Sequence, residues 1–132
     1  MGTSPVISIV DDDDSVREAM CGLMRSMGFS AKDFASAEEF LASDRLCETS
    51  CVIADVQMPG IGGLELQKRL GTTGIAIPIV FITAYPDARI RAIALQAGAL
   101  GFLTKPVCEG DLLTCIHRAL GREDRTAMPD DP

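Results

Sequence analysis

The chain has 132 residues, 47% of them apolar and 23% charged, and carries a formal net charge of −7. That length suits one domain, able to bury roughly two-thirds of its unfolded surface, and its acidity argues against wrapping nucleic acid, which needs clustered Lys and Arg. No apolar stretch nears the roughly 20 residues that span a bilayer and no basic, then apolar leader opens the chain, so a cytoplasmic, membrane-free address is expected.

Val6 to Val10 reads as a buried strand that ends in Asp11, Asp12, Asp13 and Asp14. From Asp14 to Met27 the apolar residues Val16, Met20, Leu23, Met24 and Met27 keep helical spacing, with Gly28 as the stop. Ser30 to Phe34 is a short edge strand, and Ser36-Ala37-Glu38-Glu39 is a capping box opening a helix through Leu41. Cys51 to Ala54 is the third strand and ends in Asp55. The turn from Met58 to Gly63 leads to a helix over Leu64 to Leu70. Ile77 to Ile82 is the fourth strand, ending in Thr83, and Pro86 suits the first turn of a helix that stops at Gly98. Leu100 to Leu103 is the fifth strand, followed by Thr104, Lys105 and Pro106, and Glu109 to Leu120 is the last helix.

Strands rich in Val and Ile with little alternation imply a parallel sheet covered on both faces. Right-handed crossovers then give a doubly wound, five-stranded α/β sheet in the order 2-1-3-4-5 with five helices. The domain is expected over residues 1–121, with the polar stretch 122–132 a flexible tail or the start of a linker. Five cysteines, an odd number without a zinc-binding partner set, are expected to be reduced. His117, in the last helix and with no nucleophile beside it in sequence, reads as a helix-surface or packing residue.

Four apolar runs, the first, third, fourth and fifth strands, each end on a reactive polar residue, and ligands of open α/β sheets bind at that carboxyl edge. Asp11, Asp12, Asp55, Thr83 and Lys105 therefore form one candidate site. Three carboxylates about 4–5 Å apart repel by roughly 3–4 kcal/mol per pair at an effective dielectric near 20, so the site calls for positive charge. Oxygen ligands select a hard cation, and Mg²⁺ fits, with Lys105 a second positive group and Thr83 a hydroxyl donor. Metal, ammonium and hydroxyl around one carboxylate make a cradle for a phosphoryl group. Asp55, alone at its strand end, is the natural nucleophile. Asp13 and Asp14 read instead as helix N-terminal charges, worth about 0.3–1 kcal/mol against the dipole.

The order Asp11-Asp12, Asp55, Thr83 and Lys105-Pro106, with the turn Met58-Pro59-Gly60 and Gly98-Ala99 before the fifth strand, resembles the receiver domain of two-component response regulators, over residues 5–120. The acidic start followed by Ser15-Val16-Arg17, and the Phe29 segment, are most similar to the FixJ-type subgroup. The resemblance implies a flavodoxin-like, CheY-like fold and a regulatory domain rather than an enzyme. It implies phosphoryl transfer from a sensor histidine kinase onto Asp55. Mg²⁺ would be held by Asp11, Asp12, Asp55 and the backbone carbonyl of Gln57, while Thr83 and Lys105 grip the phosphoryl oxygens. Thr83 and Phe102 fall at switch positions, and the surface of the fourth helix, fifth strand and fifth helix resembles the one receivers use to form homodimers. The implied output is transcription, through an effector domain outside these residues. Val107 and Gly62 depart from the residues common in the family at those positions.

Two other readings compete. One is a receiver-like interaction module that works without phosphorylation. The other is a haloacid dehalogenase-like phosphatase in which Asp11 attacks a phosphoester and Asp13 is the general acid; it leaves Asp55 and its Met-Pro-Gly turn unexplained.

Overall fold

A computed structural model describes residues 4–44 and 46–121. Among them, strands and helices alternate as β1 (Val6–Val10), α1 (Asp14–Ser26), β2 (Ser30–Phe34), α2 (Ala37–Ala42), β3 (Cys51–Asp55), α3 (Gly63–Gly71), β4 (Ile79–Thr83), α4 (Ala88–Gln96), β5 (Gly101–Thr104) and α5 (Glu109–Ala119). All strand pairs are parallel and their order is β2-β1-β3-β4-β5. The tail expected at 122–132 lies outside the described residues.

The helix starts follow from side chains that satisfy orphan N–H groups. Asp13 accepts from Ser15 and Val16 N–H at the head of α1. Ser36 Oγ accepts from Glu39 N–H, and Glu39 returns a carboxylate oxygen to Ala35 N–H, one residue earlier than in a standard capping box. Asp87 caps α4 through Arg89 and Ile90 N–H, so Pro86 precedes that helix rather than sitting in its first turn. At the end of α1, Gly28 takes φ +92° while Phe29 N–H reaches back to Met24 O, a closure that needs the left-handed region.

Strand limits moved where chemistry required it. β4 begins at Ile79 rather than Ile77, because Pro78 has no N–H to donate to a ladder. The 3-10 turn Leu46–Glu48 has no counterpart in the sequence reading.

Alternating side chains split the core into two layers. Ile7, Ile9, Cys51, Ile53, Val80 and Ile82 pack under α1 and α5 with Met24, Leu112 and Ile116. Val10, Val52, Ala54, Ile79 and Phe81 pack under α2, α3 and α4 with Phe40 and Leu66. Burying each such large side chain stabilises the fold by about 1.5–3 kcal/mol. Both faces are covered, which leaves the strand ends open to chemistry.

Candidate functional site

Side-chain parity decides which polar groups meet. Asp11 continues the alternation of Ile7 and Ile9, and Asp55 that of Cys51 and Ile53, so both leave the sheet toward α1 and α5. Lys105 continues Gly101 and Leu103, of which Leu103 packs in the same layer. The three converge: Lys105 Nζ donates to Asp11 Oδ2 at 3.0 Å and to Asp55 Oδ2 at 2.9 Å. The peptide between Lys105 and Pro106 is cis. Thr83 follows Ile79 and Phe81 and Phe102 also packs in that second layer, so both approach the edge from the other face.

Backbone amides fix the carboxylates further. Asp13 N–H donates to Asp11 Oδ1 and Gln57 N–H to Asp55 Oδ1, both at 2.9 Å. Asp11 is fully buried, and Asp55 and Thr83 are nearly so, whereas Asp12 is exposed. One ligand oxygen from each of Asp11, Asp12 and Asp55 lies within 4.8 Å of the others. Asp12 accepts no hydrogen bond among the described residues, which leaves its oxygens free for a cation. Hard oxygen donors at this spacing fit Mg²⁺.

Electrostatics record the crowding. Burial pushes the Asp11 carboxyl up from its ordinary value, against the lowering effect of the Asp13 amide and Lys105. Burial pulls Lys105 down, but its hydrogen bonds to Asp55 and Asp11 outweigh that and hold its pKa above the usual lysine value.

Thr83 Oγ1 accepts from Tyr85 N–H at 3.1 Å, and Thr83 O accepts from Lys105 N–H at 2.8 Å, tying β4 to the lysine. Gln57 is exposed just beyond Asp55. Phe102 is half-buried, its ring 6.3 Å from that of Phe81 at 60°. It lines a cleft of about 280 Å³ with Pro86, Asp87, Ala88, Arg91 and Thr104. Asp13 is spent on capping α1, as expected, which does not favour a general-acid role.

Three residues outside the expected site set shape the edge. Glu38 of α2 accepts from Ile61 N–H at 3.3 Å and so reaches the loop after β3. Gly62, at the head of α3, has no side chain to cap it. Arg17 of α1 donates to the backbone oxygen of Asp11 at 2.7 Å. Only the three-residue spacing of Arg17 from Asp14 hinted at an ion pair; the contact with Asp11 depends on how α1 lies over β1.

Fold and site define a doubly wound α/β domain with a lysine-bridged acidic cluster at its switch point. A family model described as the response regulator receiver domain matches residues 7–117, and the chain belongs to that family, the receiver domain of two-component systems. It is 45% identical over 115 residues to the response regulator protein TmoT of Ectopseudomonas mendocina, covering 87% of this chain and 52% of the relative. It is 40% identical over 119 residues to the transcriptional regulatory protein TdiR of Thauera aromatica, covering 90% of this chain and 52% of the relative. The chain thus spans about half the length of these relatives. The crystal structure of FixJ-N superposes with a TM-score of 0.81 at 32% identity, covering 91% of this chain and 96% of that one. The family is regulatory, and membership implies interaction with a histidine kinase. Among the described residues no helix is long and apolar enough to cross a membrane.

Proposed function

We propose that Asp55 accepts a phosphoryl group from a phosphohistidine of a sensor kinase. The observation that carries this is the Lys105 ammonium bridging Asp55 and Asp11, with Asp12 at the same edge. Such an arrangement fixes a carboxylate oxygen at the open edge with positive charge beside it, which suits nucleophilic attack on phosphorus. The Asp55 oxygen forms a bond to phosphorus as the phosphorus–nitrogen bond breaks, and the imidazole leaves with the electron pair and takes up a proton.

Asp11, Asp12, Asp55 and the Gln57 carbonyl would hold Mg²⁺, which neutralises charge on the phosphoryl oxygens. Lys105 then turns from Asp55 to the phosphoryl group, and the Thr83 hydroxyl donates to another of its oxygens. The added charge is about −1.5 to −2. Thr83 moving inward frees Phe102 to turn, and the ring lies beside a cleft under α4 that can take it. The surface of α4, β5 and α5 changes as a result and pairs with a second copy. Because TdiR is named a transcriptional regulator and the chain spans half its length, we read the output as transcription through an effector domain. The phosphorylation-independent module is the second reading, and no residue of the site favours it.

Intact mass after incubation with Mg²⁺ and acetyl phosphate tests the assignment. One added phosphoryl group on wild type and none on Asp55→Asn is the expected result. No gain on wild type returns the interaction-module reading, and labelling that survives Asp55→Asn but fails in Asp11→Asn returns the phosphatase-like one.

A further inference from the structure

Arg17 makes three contacts with one guanidinium. Nη1 donates to the backbone oxygen of Asp11 at 2.7 Å, Nε donates to Asp33 Oδ2 at 3.1 Å, and Nη2 pairs with Asp14. The side chain is 14% exposed, so a surface helix residue is folded inward against the end of β1. On the other side of Asp11, its own N–H donates to Phe34 O at 3.1 Å. The main chain of Asp11 is therefore pinned at both ends, by β2 through its amide and by α1 through its carbonyl.

The carbonyl that Arg17 holds belongs to the peptide joining Asp11 to Asp12. Rotating that peptide swings the Asp12 side chain, which accepts no hydrogen bond among the described residues to hold it in place. We infer that Arg17 is a positioning residue for magnesium, setting the Asp11–Asp12 peptide so that both carboxylates face one ion. The inference rests on the metal reading above and goes beyond it by assigning a supporting role to a residue that is not itself a ligand.

Charge and position predict opposite outcomes, which makes the role testable. Removing a cation next to an acidic pocket strengthens its pull on Mg²⁺, and it also frees the charges of Asp14 and Asp33. Losing alignment weakens it. Groups that orient metal ligands typically matter by about 10–100-fold in affinity. Arg17→Lys keeps the charge but loses the planar fork that serves three acceptors at once.

Mg²⁺ is titrated into ¹⁵N-labelled wild type, Arg17→Lys, Arg17→Met, Asp33→Asn and Asp55→Asn, following amide shifts near Asp12 and the folded dispersion of each spectrum. About tenfold weaker binding in both Arg17 variants is expected. Asp33→Asn, which leaves the bond to Asp11 intact, should bind like wild type. Wild-type affinity in Arg17→Lys, or tighter binding in Arg17→Met, overturns the positioning role alone. If Arg17→Met fails to fold, Arg17→Lys decides by itself. No Mg²⁺ binding by wild type, or binding unchanged in Asp55→Asn, overturns the metal reading and this inference with it.

Discussion

Lys105 Nζ sits 3.0 Å from a carboxylate oxygen of Asp11 that has no solvent exposure, across 94 residues of chain. The same ammonium reaches Asp55, so one positive charge serves two acids while Asp12 adds a third. The edge thus carries surplus negative charge, and Asp11 bears it in a buried position, where desolvation pushes its carboxyl up and the neighbouring Asp55 adds to that push. A site in this condition gains from any further cation, which is the physical basis for reading it as a metal and phosphoryl centre.

Replacing Lys105 with Met should destabilise the protein by about 3 kcal/mol without Mg²⁺, the range found when one partner of a buried ion pair is removed. The lysine is 18% exposed, and that access to water keeps the loss at the low end of the range. Mg²⁺ should then recover much of the loss, so its increment in Tm will be larger for Lys105→Met than for wild type. Thermal melts with EDTA and with Mg²⁺ check this. An equal or smaller increment would show that ammonium and metal do not neutralise the same carboxylates.

For Asp11 the sign of the pH dependence is set by its raised pKa. A carboxyl whose folded value lies above its unfolded one contributes stability below the unfolded value, about 3.8, and loses it as pH rises through the folded value. Near neutral pH the charge on Asp11 is therefore a cost, and Asp11→Asn, which leaves Lys105 its bond to Asp55, should raise the Tm of the metal-free protein. The advantage should shrink on acidification, as wild-type Asp11 takes up its proton. A variant that melts below wild type at neutral pH in EDTA would refute the claim.

What could be read in the sequence was whatever local chemistry decides. Most strand ends were legible because apolar runs stop at polar residues, and the parallel order followed from handedness once five βα units were counted. Helix heads were legible at Asp13 and Ser36, where side chain and orphan amide are close in sequence. The start of α4 was misplaced by the pull of Pro86, since Asp87 beside it makes the hydrogen bonds. Contacts between elements left no local trace: Arg17 to the Asp11 carbonyl and Glu38 to Ile61 both depend on how a helix lies over the sheet.

The cysteines divide by burial. Burial pushes the Cys51 thiol up to about 12, and it also raises Cys21, while Cys47 and Cys108 are exposed. Iodoacetamide at mildly alkaline pH should alkylate Cys47 and Cys108 in the native protein and leave Cys21, Cys51 and Cys115 until it unfolds. The sign for stability follows: a thiol raised from 9.0 to about 12 contributes stability that is lost as pH climbs between those values. Peptide mapping after labelling gives the answer, and fast native labelling of Cys51 would contradict its burial.

Gly63 reads in sequence as part of a turn, yet it opens α3 pressed against the end of β3. A Cβ there would stand 2.7 Å from Asp55 O, 2.8 Å from Phe81 Cε1 and 2.9 Å from Val56 Cα. Two of these atoms are backbone and cannot give way by rotating, so the strain falls on the peptide that carries Asp55. Gly63→Ala should cost about 1–3 kcal/mol, the usual penalty of overpacking, and slow labelling of Asp55 by acetyl phosphate more than the stability loss alone accounts for. Gly71→Ala, where a Cβ meets nothing within 4 Å, is the control and should stabilise by about 0.4–1 kcal/mol while leaving the labelling rate unchanged. Comparing labelling rates well below each Tm separates the two effects. A Gly63→Ala protein that is less stable but labels at the wild-type rate would confine that glycine to packing.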